Sequence, residues 1–108
     1  MRILFVDNHG EFASTVTELF LRDHDVTIVP TVAAAKAHAG FDLALVDYDL
    51  DDGKGDDFVR WLRARDPGAK IIAVSARELG NEALVAAGAD AVCAKTQFAS
   101  IASVIARV

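Results

Sequence analysis

The chain has 108 residues, 53% of them apolar, with 16 acidic and 11 basic residues giving a formal net charge of −5. That length buries one core without a disulfide or structural metal, and a single cysteine, Cys93, excludes an intramolecular disulfide framework. No apolar run nears the roughly 20 residues that cross a bilayer, the run in MRILFVDN is too short for a signal peptide, and no basic stripe marks a nucleic-acid backbone binder.

A cytoplasmic chain is therefore expected, with no membrane or direct nucleic-acid partner and with cations such as Mg²⁺ favoured. Arg2 to Val6 reads as a buried strand ending in Asp7-Asn8. A helix follows from about Glu11 to Arg22, with Phe12, Val16, Leu19 and Phe20 on one face. Asp25 to Val29 is a more polar strand, suited to a sheet edge. Thr31 can cap a second helix, VAAAKAHA, which Gly40 closes. Leu43 to Val46 has no polar alternation and reads as a strand buried on both faces. A third helix spans Gly55 to Arg65 and stops at Pro67-Gly68. Lys70 to Val74 is the fourth strand and Glu78 to Ala87 the fourth helix, closed by Gly88. Ala91 to Ala94 is the fifth strand, and Gln97 to Arg107 the fifth helix, with Phe98, Ile101, Ala102 and Ile105 on one face. No linker or repeat interrupts this order, so one domain over residues 1–108 is expected. The pattern is α/β, (βα)₅, and right-handed crossovers make it a doubly wound parallel five-stranded sheet between helix layers.

Strands one, three, four and five finish in Asp7, Asp47, Ser75 and Lys95, which parallel strands bring to one sheet edge. Ligands of open α/β sheets bind at this carboxyl edge. Alone, an Asp after a strand serves a turn or a helix cap. The set of four does more. Two carboxylates hold a hard divalent cation, a lysine supplies positive charge for a phosphoryl group, and a hydroxyl donates to a phosphoryl oxygen. A carboxylate can itself accept a phosphoryl group as an acyl phosphate.

These motifs resemble those of response-regulator receiver domains of two-component signalling. The resemblance covers essentially the whole chain: ILFVDN for the acidic pair, FDLALVDYD for the phospho-acceptor, IIAVSA for the hydroxyl strand and GADAVCAK for the lysine strand. Gly55, eight residues beyond Asp47, fits the family's glycine at the start of the third helix. The resemblance implies flavodoxin-like strand order 2-1-3-4-5 and phosphorylation at Asp47. It implies Mg²⁺ held by Asp7, Asp47 and the backbone carbonyl of Asp49, with Ser75, Ala76 and Lys95 around the phosphoryl group. The donor would be a histidine kinase or phosphotransfer protein, or a small acyl phosphate. The output partner would be a protein reading helix four, strand five and helix five, and a homodimer is compatible.

Three positions depart from the family pattern. Asn8 stands where the second acid usually touches the metal, so Mg²⁺ binding should weaken. The Asp49 carboxylate either compensates or is a solvated loop acid. Thr96 follows Lys95 where the family has a cis-proline, and a cis bond before a non-proline residue costs roughly 2.5–4 kcal/mol, so a trans bond and a shifted loop are expected. Val92 occupies the position of the family's rotating aromatic switch, so the signal must be read otherwise. The stretch from Ser75 to Lys95 is short for the family, which suggests a trimmed or irregular fourth helix.

His9 reads as a solvated or capping residue, with metal ligation the alternative. His24 and His38 read as surface residues, Arg77 as exposed, and Cys93 as a buried strand residue and no nucleophile. The fifth helix carries one charge, Arg107, and is either a partner interface or an alanine-rich amphipathic helix. The leading reading is a stand-alone phospho-accepting receiver domain, not an enzyme. The alternative is a phosphorylation-independent pseudo-receiver, an interaction module that Asn8, Thr96 and Val92 favour. Asp47-Tyr48-Asp49 has the D-x-D spacing of haloacid-dehalogenase-type phosphatases, but follows the third strand where that family has the first. No G-x-G-x-x-G loop follows Val6 to favour a dinucleotide.

Overall fold

A computed structural model describes residues 1–108. Five parallel strands form one sheet: β1 (Arg2–Val6), β2 (Asp25–Val29), β3 (Leu43–Val46), β4 (Ile71–Ala73) and β5 (Ala91–Val92). Their spatial order is β2-β1-β3-β4-β5, the flavodoxin-like order that the motifs imply. Helices α1 (Gly10–Phe20), α2 (Val32–Lys36), α3 (Gly55–Arg65) and α4 (Glu78–Ala87) join the strands. A 3₁₀ turn over Lys95–Ser100 leads into α5 (Ile101–Ile105).

Alternation along the strands divides the core into two. Leu4, Val6, Ala44, Val46, Ile71 and Ala73 face α2, α3 and α4, where Phe58, Val59, Leu62 and Leu84 close the layer. Ile3, Phe5, Leu43, Leu45, Ile72 and Val74 face α1 and α5, meeting Val16, Phe98, Ile101 and Val104. An unbroken apolar run such as Leu43–Val46 is what a strand covered on both faces requires. The more polar β2 lies at the edge, with only Val29 fully buried.

Thr31 caps α2 by accepting the Ala34 N–H at 3.0 Å. That helix is shorter than its alanine-rich sequence suggests, ending at Lys36. The fourth helix is neither trimmed nor irregular: it is continuous for 10 residues, and Gly88 closes it at φ 128°. The last segment departs most from expectation. The fifth strand pairs through two residues only, and the fifth helix is split by non-helical backbone at Gln97. Phe98, Ile101 and Val104 turn inward, while Ala102 is exposed. One feature was not expected: Asp49–Leu50 and Gly53–Lys54 form a small antiparallel hairpin between β3 and α3.

Candidate functional site

The sheet ladder continues past the strand ends and fixes the site backbone. The Asp7 N–H donates to Val29 O at 2.9 Å, the Asp47 N–H to Val6 O at 2.9 Å, and the Lys95 N–H to Ser75 O at 3.4 Å. Asp7 and Asp47 are 1% and 3% exposed, so both carboxylates stand at the floor of the sheet edge. Lys95 closes over them: its Nζ is 3.0 Å from Asp7 Oδ2 and 2.9 Å from Asp47 Oδ2. Phe12 of α1 supports the ammonium with its ring centre 4.8 Å away.

Each carboxylate keeps one oxygen on the backbone. Asp7 Oδ1 accepts the His9 N–H at 2.8 Å, and Asp47 Oδ1 accepts the Tyr48 N–H at 2.7 Å. Burial raises the Asp7 carboxyl above its ordinary value, and the His9 N–H and Lys95 ammonium oppose that rise. The Lys95 ammonium, 3.0 Å away, is the only partner of its buried Oδ2, and the same ammonium donates to Oδ1 at 3.2 Å.

Gly55 explains why α3 can begin where it does. A Cβ there would stand 1.8 Å from the Asp47 carbonyl oxygen, so only glycine lets the helix cross this backbone. On the other flank Asn81 clamps Ser75: its Oδ1 accepts the Ser75 N–H at 2.8 Å and its Nδ2 donates to Ser75 O at 2.9 Å. Ser75 Oγ accepts the Arg77 N–H at 3.1 Å. Ala76 is exposed at the rim beside His9, Phe12 and Lys95.

Asn8 turns outward and donates to Asp51 Oδ1 at 3.1 Å, while its own carbonyl oxygen is buried without a partner. The Asp49 carboxylate does not reach over the two buried acids. It pairs with Lys54 and, at 2.8 Å, with Arg77, and the Lys54 ammonium foremost holds its carboxyl below the ordinary value. The two cations flank the Tyr48 ring, 5.2 and 5.8 Å from its centre. No peptide bond is cis, so Lys95–Thr96 is trans. Val92 is exposed on β5.

His9 is the residue whose surroundings the sequence did not disclose. It stands at the N-cap of α1 but makes no capping hydrogen bond. Its Nδ1 is instead 3.1 Å from Lys95 Nζ, and His9, Asp7 and Asp47 form a group able to hold a metal ion. Adjacency to a strand end was the one signal available. Phe12 and Asn81 were likewise hidden, because one is read as core and the other as helix. His24 lies at the surface beside the N-terminal amine, and His38 is exposed. Cys93 is buried, which raises its thiol.

No protein-family model and no curated protein matches this sequence. Solved structures do match. A CheY-like response regulator receiver domain protein from Methanospirillum hungatei is 26% identical, with TM-score 0.84 over 98% of this chain and 90% of the other. The response regulator TrrA from Thermotoga maritima, in complex with Mg²⁺-BeF, is 20% identical with TM-score 0.88, over 98% and 96%. A response regulator from Burkholderia pseudomallei, with a phosphorylated aspartic acid, a calcium ion and citrate, is 25% identical with TM-score 0.76, over 97% and 64%. The chain has the response-regulator receiver fold, and no helix is long and apolar enough to cross a membrane.

Proposed function

We propose that residues 1–108 act as one phospho-accepting receiver domain in which Asp47 takes a phosphoryl group from a histidine kinase or phosphotransfer protein. The observation that carries this is the convergence of Asp47, Asp7 and Lys95, with Lys95 Nζ 2.9 Å from Asp47 Oδ2. Tyr48 holds Oδ1, which leaves Oδ2 as the nucleophile. Oδ2 attacks phosphorus as the P–N bond of the donor phosphohistidine breaks. The bonding pair goes to the imidazole nitrogen, which takes up a proton, and an acyl phosphate forms on Asp47. Lys95 offsets the charge of the phosphoryl oxygens, and the Ser75 hydroxyl donates to one of them beside the small Ala76.

The donor set suits a divalent cation: two buried carboxylates meet there, and the Lys95 ammonium is the only partner of Asp7 Oδ2. Asp7, Asp47 and the Asp49 carbonyl would hold Mg²⁺, with Asn8 a weakened position, and the ion supplies charge neutralisation when bound. The site is a signalling site, able to catalyse its own phosphorylation and dephosphorylation. Output passes to a protein partner through α4, β5 and α5, where Leu79, Val85 and Val92 are exposed. The exposed positions of α5, Ala102 and Ser103, carry small side chains, so α4 and β5 supply the apolar contact.

A phosphorylation-independent interaction module is the second reading. Asn8 favours it, since its amide faces Asp51 and leaves the buried acids with one carboxylate fewer. Intact mass after incubation with a small acyl phosphate and Mg²⁺ separates the two. One added phosphoryl group, absent from Asp47→Asn, is the expected result. No addition at any Mg²⁺ concentration, with candidate kinases also tried, would favour the interaction module.

A further inference from the structure

Three atoms surround the Lys95 ammonium: Asp7 Oδ2 at 3.0 Å, Asp47 Oδ2 at 2.9 Å and His9 Nδ1 at 3.1 Å. An ammonium only donates hydrogen bonds, so His9 Nδ1 accepts here and its lone pair points where the carboxylates point. Ligand atoms of the three residues lie within 4.8 Å of one another, and Nδ1 is 3.5 Å from Asp7 Oδ1 and 3.8 Å from Asp47 Oδ2. A cation with bonds of about 2.0–2.1 Å needs ligand separations of about 3.3 Å in a tetrahedron and about 2.9 Å in an octahedron. Closing the set to tetrahedral spacing takes at most about 1.5 Å of approach, shared between two side chains. Asp7 is 1% exposed and its Oδ2 has no partner but the Lys95 ammonium, so a buried anion faces the same point.

We propose that Asp7, Asp47 and His9 form a transition-metal site, in which the His9 imidazole supplies the ligand that Asn8 cannot and selects a divalent first-row transition ion over Mg²⁺. The proposal deepens the metal-assisted reading of this site and rests on it. Imidazole suits zinc, cobalt, copper, nickel and iron. Mg²⁺ prefers oxygen donors in a near-ideal octahedron and keeps several waters. The ion and the Lys95 ammonium compete for the same three atoms, so Lys95 acts as the internal occupant that a metal must displace.

The test is a titration of the full, unphosphorylated chain with Co²⁺ and with Mg²⁺ alone, no phosphoryl donor present. Visible absorption of Co²⁺ reports nitrogen ligation and geometry. Wild type should bind Co²⁺ at least 100-fold more tightly than Mg²⁺. His9→Ala should weaken Co²⁺ at least tenfold and change its spectrum, while altering Mg²⁺ affinity less than twofold. His24→Ala with His38→Ala should change neither, and Lys95→Met should tighten Co²⁺. His9 is 64% exposed, so its replacement leaves the core intact, which circular dichroism checks. Equal Co²⁺ affinity and spectrum in wild type and His9→Ala would overturn the proposal, as would Mg²⁺ binding as tight as Co²⁺. The acyl-phosphate mass test reports on Asp47 separately. Co²⁺ ligation by His9 in a chain that never gains a phosphoryl group would keep the metal site and remove the phosphorylation reading.

Discussion

Asp7 is held at a cost to the fold. Its carboxyl titrates above the ordinary value because burial strips its water, and the His9 N–H and Lys95 only partly compensate. The unfolded chain releases this proton near pH 3.9 and the native chain only at higher pH. Between those values the native state holds more protons, so stability falls as pH rises through the window and stays lower above it. Asp7→Asn should therefore be more stable than wild type at pH 7, with the gain shrinking as pH drops towards about 4. Urea denaturation at a series of pH values measures this, and a variant less stable than wild type at neutral pH would refute it. Asp52 behaves in the opposite sense. Its carboxylate accepts the Val32 N–H at 2.7 Å and the Ala33 N–H at 3.0 Å, tying the hairpin turn to the first turn of α2. The Val32 bond foremost lowers its carboxyl. That stability is present above the unfolded value and lost as pH falls through the folded one. Asp52→Asn should be less stable than wild type at neutral pH and equal to it well below about pH 4. A deficit that persists unchanged in acid would mean that charge plays no part.

At the scale of elements, one side chain joins pieces that the sequence leaves apart. Arg63 of α3 donates through Nη1 to Pro67 O at 2.9 Å and Ala69 O at 2.6 Å, and through Nη2 to Gly88 O at 2.7 Å and Asp90 Oδ2 at 3.0 Å. It thus fastens the end of α3 and the approach to β4 to the turn before β5. Arg63→Ala strands these acceptors and should cost about 2–3 kcal/mol. Arg63→Lys should recover less than half, because an ammonium cannot make the planar fork. A lower urea midpoint at unchanged m-value is the expected signature, and a midpoint within error of wild type would sink the prediction. Elements carried by continuous apolar pattern or by a glycine stop were legible in the sequence: β1, β2, β3, α3 and α4 have the bounds their residues suggest. Hydrophobic burial fixes those locally. The hairpin at Asp49–Lys54 was not legible, since two-residue strands carry no pattern and its Asp51-Asp52-Gly53 turn reads equally as loop. The α5 segment departs from its sequence pattern: Phe98, Ile101, Ala102 and Ile105 fit a helical stripe, but the backbone kinks at Gln97 and Val104 takes the inward place of Ala102. At the site, strand ends gave Asp7, Asp47, Ser75 and Lys95 through topology alone. The turn of His9 towards Lys95 depends on a side-chain rotamer, which no spacing encodes.

The whole molecule is unevenly secured about its sheet. β1 pairs on both sides, with five residues of β2 and four of β3, and β3 and β4 are buried on both faces. At the other edge β5 contributes two residues and α5 five, and the helix presents small side chains to solvent. Free energies of local opening follow such differences in buried contact and ladder length. Amides of Leu4, Phe5, Ala44, Leu45 and Ile72 should therefore exchange with solvent only through global unfolding. Those of Cys93, Lys95 and Gln97, and the amides of α5, should exchange through a smaller opening of lower free energy. The opening segment includes Lys95, whose ammonium bridges the Asp7 and Asp47 carboxylates. Adding charge at Asp47, or placing a metal ion among Asp7, His9 and Asp47, changes what Lys95 holds. Ligation should consequently shift protection in residues 91–108 and leave the central strands unchanged. Native-state hydrogen exchange in low denaturant, with and without Mg²⁺ and a small acyl phosphate, resolves the two units. If residues 91–108 exchange at the global limit, the chain opens as one body, and its fifth strand is not the loose element through which a change at Asp47 reaches the surface of Val92.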